Sequence, residues 1–302
     1  MKVGLHVPVF AWEGGSEAMA DHLANIAEAA EAAGFDQITV MDHYFALGPG
    51  EAYRRPMLEA YTALGFIAAR TAKLRLGTLV TGVMYRYPGI LIKQMTTLNV
   101  LSKGRAFFGI GAAWHEHEHH AFGVPFPPLK ERFERLEETL QLAHQAWSGD
   151  SRPFRGKYYS LDEPYLSPEA VSKPRPRILV GGSGERKTLR LVATYADACH
   201  INASDLDAAR HKLDVLRAHC ADVGRDQSEI EKTCGVRMDV ATDGSNVQEV
   251  IDRFAAAGEV GYDLVTTALP QVYTLEAIRL FGEKVIPALS SVGQRTGAGS
   301  TR

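Results

Sequence analysis

The chain has 302 residues, 45% of them hydrophobic and 23% charged, enough to build a large core without disulfide or metal staples. A formal net charge of -3 gives no basic footprint for nucleic acid. No apolar run reaches membrane-spanning length, and Cys199, Cys220 and Cys234 form neither a disulfide framework nor a CxxC metal site, so a reducing, cytoplasmic setting is expected. The opening Met1-Lys2-Val3-Gly4-Leu5 reads as a strand rather than a signal peptide.

In chain order, Val3 to Val7 is the first strand. A helix with Ser16 as its N-cap runs to Ala33, with Leu23, Ile26, Ala27 and Ala30 on one face and Gly34 closing it. Strand two is Gln37 to Met41, followed by a helix from Pro56 to Thr71. Strand three is Leu74 to Thr81, its helix Pro88 to Leu101. Strand four is Arg105 to Gly111, and its helix, Glu131 to Trp147, is strongly periodic. Strand five is Arg177 to Val180, with a helix from Gly184 to Tyr195. Strand six is Cys199 to Ile201, and Asp205 to Val223 is a helix capped by Gly224. Strand seven is Gly235 to Ala241 with a helix from Asn246 to Ala257; strand eight is Asp263 to Ala268 with a helix from Thr274 to Ser290.

Regular strand–helix alternation with consecutive apolar strand residues predicts an α/β fold, a (β/α)₈ TIM barrel over residues 1–295. A doubly wound open sheet is the structural alternative. The Gly/Ser/Thr-rich stretch 296–302 is expected to be a disordered tail. Two connections are longer than a barrel needs, Ala112 to Lys130 after strand four and Ser148 to Pro176 before strand five.

Strand five runs into Gly181-Gly182-Ser183-Gly184, and the helix is expected to start at once. Glycines let backbone approach a ligand, and free N–H groups of a helix's first turn form an anion cradle, most often for phosphate. The bland alternative is a tight strand-to-helix turn. Asp42-His43 follows strand two, and Gly111-Ala112-Ala113-Trp114 follows strand four. Small residues, one Asp-His pair and large aromatics at the strand ends suit a flat ring stacked on backbone. His43 can give or take a proton near neutrality, or only bond loop backbone. Asp42 can orient the imidazole or satisfy loop N–H groups. The run His115-Glu116-His117-Glu118-His119-His120 lacks the intact HExxH spacing and fits a metal cluster, a solvated loop or a lid.

Fold order and strand ends together resemble the luciferase-like monooxygenase superfamily, from about Lys2 to Leu289. The residues that carry the resemblance are Asp42-His43, Leu76-Gly77-Thr78-Leu79-Val80, Arg86-Tyr87-Pro88 and Ser102-Lys103-Gly104-Arg105 before Gly109-Ile110-Gly111-Ala112-Ala113-Trp114. Phe154-Arg155-Gly156-Lys157-Tyr158-Tyr159 and Gly181-Gly182-Ser183-Gly184 followed by Ala196-Asp197 complete it. The chain looks most like the branch that uses the deazaflavin coenzyme F420.

That resemblance implies a hydride-transferring oxidoreductase in which His43 handles a proton over the ring. It implies that Thr78, Leu79 and Val80 back the ring, with a non-proline cis peptide between Leu79 and Val80. It places Gly111 and Ala112 at the ring edge, Asp42 beside the coenzyme, and Gly181, Gly182, Ser183 and Gly184 at its phosphate. Sugar-phosphate dehydrogenases of this branch carry a catalytic Glu where Trp114 aligns here, so Trp114, Phe122 and Phe126 point to a more apolar small-molecule substrate. A homodimer is expected at the family level. The alternatives are an FMN-dependent monooxygenase, a metal-dependent hydrolase barrel using His115, His117 or His119, and a non-enzymatic deazaflavin carrier.

Overall fold

A computed structural model describes residues 1–238, 240–241 and 243–290; the expected tail at 296–302 lies outside them. Eight parallel strands build the core: β1 (Lys2–Val7), β2 (Gln37–Val40), β3 (Arg75–Thr78), β4 (Ala106–Gly111), β5 (Ile178–Gly181), β6 (Ala198–His200), β7 (Glu231–Gly235) and β8 (Leu264–Ala268). Their order is β3-β2-β1-β8-β7-β6-β5-β4, and the pairs Leu76↔Ala106 and Gly77↔Phe107 join β3 to β4. The sheet therefore closes on itself, which excludes the open-sheet alternative and gives the (β/α)₈ barrel.

Alternation along each strand sorts the residues into two shells. Leu5, Ile38, Leu76, Phe108, Val180, Cys199 and Val265 are buried in one cluster with Leu23, Ile26, Leu64, Ile67, Leu91 and Ile92 of the surrounding helices. The inner face mixes small and polar residues with one apolar cluster: a Cβ on Gly4 would meet Gln37 and Thr266, His6 bonds Thr39, and Phe107, Leu179 and Ala198 pack with Leu79 and Val80. At Gly109 a Cβ would sit 1.9 Å from the Thr78 carbonyl oxygen, so only glycine permits β4 to approach β3 this closely. At the N-terminal end Glu231 meets Arg75 at 3.0 Å, Arg177 at 3.1 Å and Lys2 at 3.4 Å.

Most boundaries shift by one to three residues from the sequence expectation, and five differences have a clear local reason. Strand seven lies at Glu231–Gly235 rather than Gly235 to Ala241, because the ion cluster lets a charged residue open a barrel strand. Strand three stops at Thr78; after the cis Leu79-Val80 peptide, pairing resumes at Thr81–Gly82. The second helix starts at Ala60, not Pro56, where the Glu59 carboxylate accepts from the N–H groups of Tyr61 and Thr62. The first helix begins at Gly15 after Gly14 at φ 81°, so Ser16 is inside it. The helix after β5 begins at Thr188, four residues past Gly184, because Glu185 to Lys187 form an intervening turn.

The two long connections play different parts. Ala112 to Lys130 contains a short helix, Glu116–Ala121, that returns to the strand ends. Ser148 to Pro176 forms a hairpin, Phe154–Arg155 with Ser160–Leu161, clamped outside the barrel. Glu138 accepts from the N–H groups of Lys157, Tyr158 and Tyr159, and Asn99 Oδ1 from those of Val171 and Ser172. All three cysteines are buried and free. No helix among the described residues is long and apolar enough to cross a membrane.

Candidate active site

A cavity of about 1260 Å³ opens at the C-terminal ends of the strands. Strand residues His6, His200 and Thr266 form its inner end; Met41, His43, Leu79, Val80, Gly111, Ala112 and Gly181 to Gly184 line it further out, with Trp114 exposed at the mouth. No residue of the Ser148 to Pro176 connection lines it.

His43 is fixed by a residue from the other long loop. Its Nδ1 lies 2.7 Å from Oε2 of Glu118, a fully buried carboxylate on the Glu116–Ala121 helix. The same carboxylate accepts from the Tyr85 hydroxyl and from the backbone N–H groups of Tyr44 and Phe45, the last at 2.7 Å. Burial alone would raise the Glu118 carboxyl, but hydrogen bonds from His43 and Tyr85 outweigh it and hold the group at about 2. Burial, and next the Glu118 carboxylate, push the Tyr85 hydroxyl up, so it stays a donor. An ionised carboxylate only accepts, so Nδ1 of His43 carries the proton and Nε2 is the free nitrogen. Trp114 packs edge-on against the imidazole at 5.7 Å and His115 at 5.8 Å.

Asp42, expected beside the coenzyme, instead holds Arg86. The two make a bidentate pair at 2.6 and 2.9 Å, and Asp42 is buried and absent from the cavity lining. Burial opposes the Arg86 charge, but the Asp42 carboxylate outweighs it and pushes the guanidinium pKa up. Arg86 also reaches Glu59 at 2.5 Å and sits over the Tyr61 ring at 4.8 Å. The pair ties the loop after β2 to the start of the Pro88–Leu101 helix.

The glycine turn is a partial cradle. Gly182, at φ +126°, gives its N–H to the His200 carbonyl at 3.0 Å, so that donor is already engaged. The N–H groups of Ser183 and Gly184 make no hydrogen bond to a described residue, and both residues line the cavity. Ser183 donates its hydroxyl to the Asn202 carbonyl at 2.6 Å, which pins the turn. Because the helix starts only at Thr188, the free donors of this turn are loop amides rather than the N–H groups of a helix's first turn. A Cβ on Gly181 would meet Val80 at 2.8 Å, and one on Gly111 would meet Val80 at 3.0 Å. The two glycines therefore make room for the Val80 side chain, and Val80 with the Gly111 and Gly181 backbone forms one wall of the cavity.

Other expected site residues are distributed unevenly. Leu79, Val80, Gly111, Ala112 and Trp114 line the cavity; Thr78, Phe122 and Phe126 do not. Thr78 donates to the Gly109 carbonyl at 2.8 Å, a strand-to-strand tie. Phe122 packs on Tyr44 at 4.9 Å and Phe126 on His119 at 4.8 Å, behind the loop. In the histidine run, His117 stacks on Phe45 and His119 on Tyr85, so His115, His117 and His119 do not converge. Among the described residues the one group with metal-ligand spacing is His43, His115 and Glu118, and its carboxylate already accepts from four donors. Glu118, Tyr85, His6 and His200 were missed as site residues. The available signal for Glu118 was a carboxylate within a loop that follows a barrel strand.

The fold and this cavity define a parallel α/β barrel whose strand ends hold Val80 between two glycines, two free loop amides and a carboxylate-oriented histidine. The chain belongs to the luciferase-like monooxygenase family, matching it over residues 1–282. It is 32% identical over 225 residues to an F420-dependent glucose-6-phosphate dehydrogenase of Nakamurella multipartita, covering 73% of this chain and 64% of that protein. It is 32% identical over 213 residues to the F420-dependent hydroxymycolic acid dehydrogenase of Mycobacterium tuberculosis, covering 70% of this chain and 57% of that protein. The match thus spans less than two thirds of those relatives. A solved F420-dependent secondary alcohol dehydrogenase, in complex with an F420-acetone adduct, shares the fold at 19% identity and a TM-score of 0.80, covering 95% of this chain and 98% of that one.

Proposed function

We propose that this protein is an F420-dependent oxidoreductase acting on a fairly apolar organic small molecule. When bound, the deazaflavin supplies the hydride chemistry itself. Ser183 and Gly184 offer free amides to its phosphate, while Gly111, Ala112, Val80 and Gly181 form the wall for its ring. Glu118 fixes the His43 tautomer, so Nε2 accepts a proton from substrate or returns one, with the carboxylate as counter-charge while the ring is protonated. Trp114 supplies an apolar face at the mouth, which supports the substrate class. The observation that carries the reading is the Glu118–His43 pair beside the Val80 wall in one cavity.

Fluorescence-quenching titration with F420 and, in parallel, FMN tests it. Tight F420 binding supports the proposal; binding of FMN alone moves the chain to the monooxygenase reading. Binding of F420 without turnover over a panel of alcohols, enones and oxidised dyes leaves a carrier. Metal analysis of the pure protein tests the hydrolase reading. The proposal includes a homodimer, supported by the exposed Phe66, Ile90 and Leu101 on neighbouring helices, and a cytoplasmic location, supported by three free cysteines. Light scattering measures the former.

A further inference from the structure

One two-residue device occurs twice inside the barrel. His6 of β1 lies in register with Thr39 of β2, its Nδ1 2.9 Å from the Thr39 hydroxyl. His200 of β6 lies in register with Thr233 of β7, again with Nδ1 at 2.9 Å from the hydroxyl. Each threonine donates its only proton to the carbonyl of the residue before the histidine, Leu5 at 3.3 Å and Cys199 at 2.8 Å. A hydroxyl whose proton is committed can only accept, so Nδ1 donates in both pairs. A neutral ring with its proton on Nδ1 presents Nε2 as a bare acceptor.

Both rings line the inner end of the cavity. Burial is the largest influence on each and holds His6 down at about 3 and His200 at about 4, so both are neutral at pH 7. His6 Nε2 has no hydrogen bond to a described residue. Beside His200 stands Asn202, whose Oδ1 accepts from the Gly235 N–H at 2.9 Å and with its second lone pair also partners the His200 ring, so His200 Nε2 is not a free acceptor. Thr266, on β8 between them in the barrel, adds a buried hydroxyl without a partner among the described residues. At this end of the cavity His6 Nε2 is thus a free acceptor, beside a Thr266 hydroxyl that can donate or accept.

We propose that His6 is a specificity-determining residue whose Nε2 accepts a hydrogen bond from an N–H or O–H group on the buried edge of a flat heterocyclic ligand. This rests on the reading of the cavity as a ring-coenzyme site. Two donors of that chemistry exist on the candidate coenzymes. The imide N–H is common to FMN and F420; the phenolic O–H belongs to F420 alone, where FMN carries a methyl group. An edge that leaves this acceptor unpaired binds more weakly, because a buried polar atom then loses water without replacement.

The test measures F420 and FMN dissociation constants for wild type, His6→Phe and His6→Gln, which restores an acceptor oxygen. His6→Phe is expected to weaken binding at least tenfold, with Gln recovering part of it. Loss for both coenzymes assigns the contact to the imide N–H; loss for F420 alone assigns it to the phenol. Should His6→Phe fail to fold, the ligand side serves with wild-type protein. FMN methylated at the imide nitrogen and F420 methylated at the phenolic oxygen each lack one donor, and at least one should bind tenfold more weakly than its parent. Unchanged affinity throughout, in a protein that binds the parent coenzyme, overturns the inference alone. Wild type binding neither coenzyme overturns the proposed function and the inference with it.

Discussion

Glu118 and His43 lie 75 residues apart in sequence and meet at 2.7 Å, a carboxylate on one loop fixing the imidazole on another. Their pairing sets which nitrogen of His43 is available to the cavity. It also makes the Glu116–Ala121 helix part of the site rather than a cover over it.

Glu118→Gln keeps the shape and loses the charge. Its single amide oxygen can serve His43 and Tyr85 at the Oε2 position or the Tyr44 and Phe45 N–H groups at Oε1, but not both pairs, and the imidazole loses its counter-charge. Turnover should fall by about 10²-fold or more, with coenzyme affinity within a few-fold of wild type. Steady-state kinetics beside a binding titration separate the two; equal losses in both would show that Glu118 only holds the loop.

His43→Ala should lower turnover by roughly 10²–10⁴-fold and leave coenzyme affinity nearly unchanged. The wild-type pH–rate profile should contain an ionisation that the mutant lacks. A mutant matching wild type at every pH would assign the proton step to another group or to water.

Gly184→Val places a branched side chain beside a free amide, within 2.9 Å of the Thr188 hydroxyl at its first carbon. F420 affinity should drop at least tenfold, about 1.4 kcal/mol, with an unchanged circular dichroism spectrum. Retained affinity in the folded variant would remove the phosphate from this turn.

Asp42→Ala leaves the Arg86 guanidinium, only 9% exposed, without its bidentate partner. Removing one partner of a buried pair costs about 3–5 kcal/mol, partly offset here by Glu59. Denaturant unfolding should register that loss. Weaker coenzyme binding without a stability change would instead restore Asp42 to the cavity.

Acid should destabilise the fold in two stages. His6 and His200 titrate far below 6.5 when folded, so the unfolded chain binds more protons as pH falls below 6.5, and stability declines by up to about 1.4 kcal/mol per pH unit for each ring. Glu118, held at about 2, adds its loss only below the unfolded carboxyl value of 4.5. Chemical denaturation from pH 7.5 to 5 should show the first stage, and His6→Phe should flatten it. A wild-type stability independent of pH over that range would mean that both rings are charged in the barrel.

The barrel was legible because eight strand–helix units repeat along the chain, and the glycine turn because backbone freedom is written in residue type. Helix Pro88–Leu101 matched at both ends, since proline opens it. What escaped the sequence depends on contacts between distant segments. Glu231 opens a barrel strand only because Arg75, Arg177 and Lys2 gather around it. Glu118 looked like one acid among histidines; its burial follows from the return of its loop to His43. Asp42 sits next to His43 in sequence yet serves Arg86, because adjacent residues leaving a strand point to opposite sides.

The loop carrying Glu118 leaves β4 at Gly111, and the seven-residue step from Gly111 to Glu118 brings the carboxylate to the imidazole. Anyone grafting this loop between relatives to change substrate preference inherits that step as a fixed gauge. Insertions beyond Ala121 leave it untouched, whereas a single residue added before Glu118 turns the short helix by about 100° and faces the carboxylate away from His43. Engineered diversity at this mouth therefore belongs in the segment after Phe122 and at the tip that presents Trp114, with the count up to Glu118 conserved.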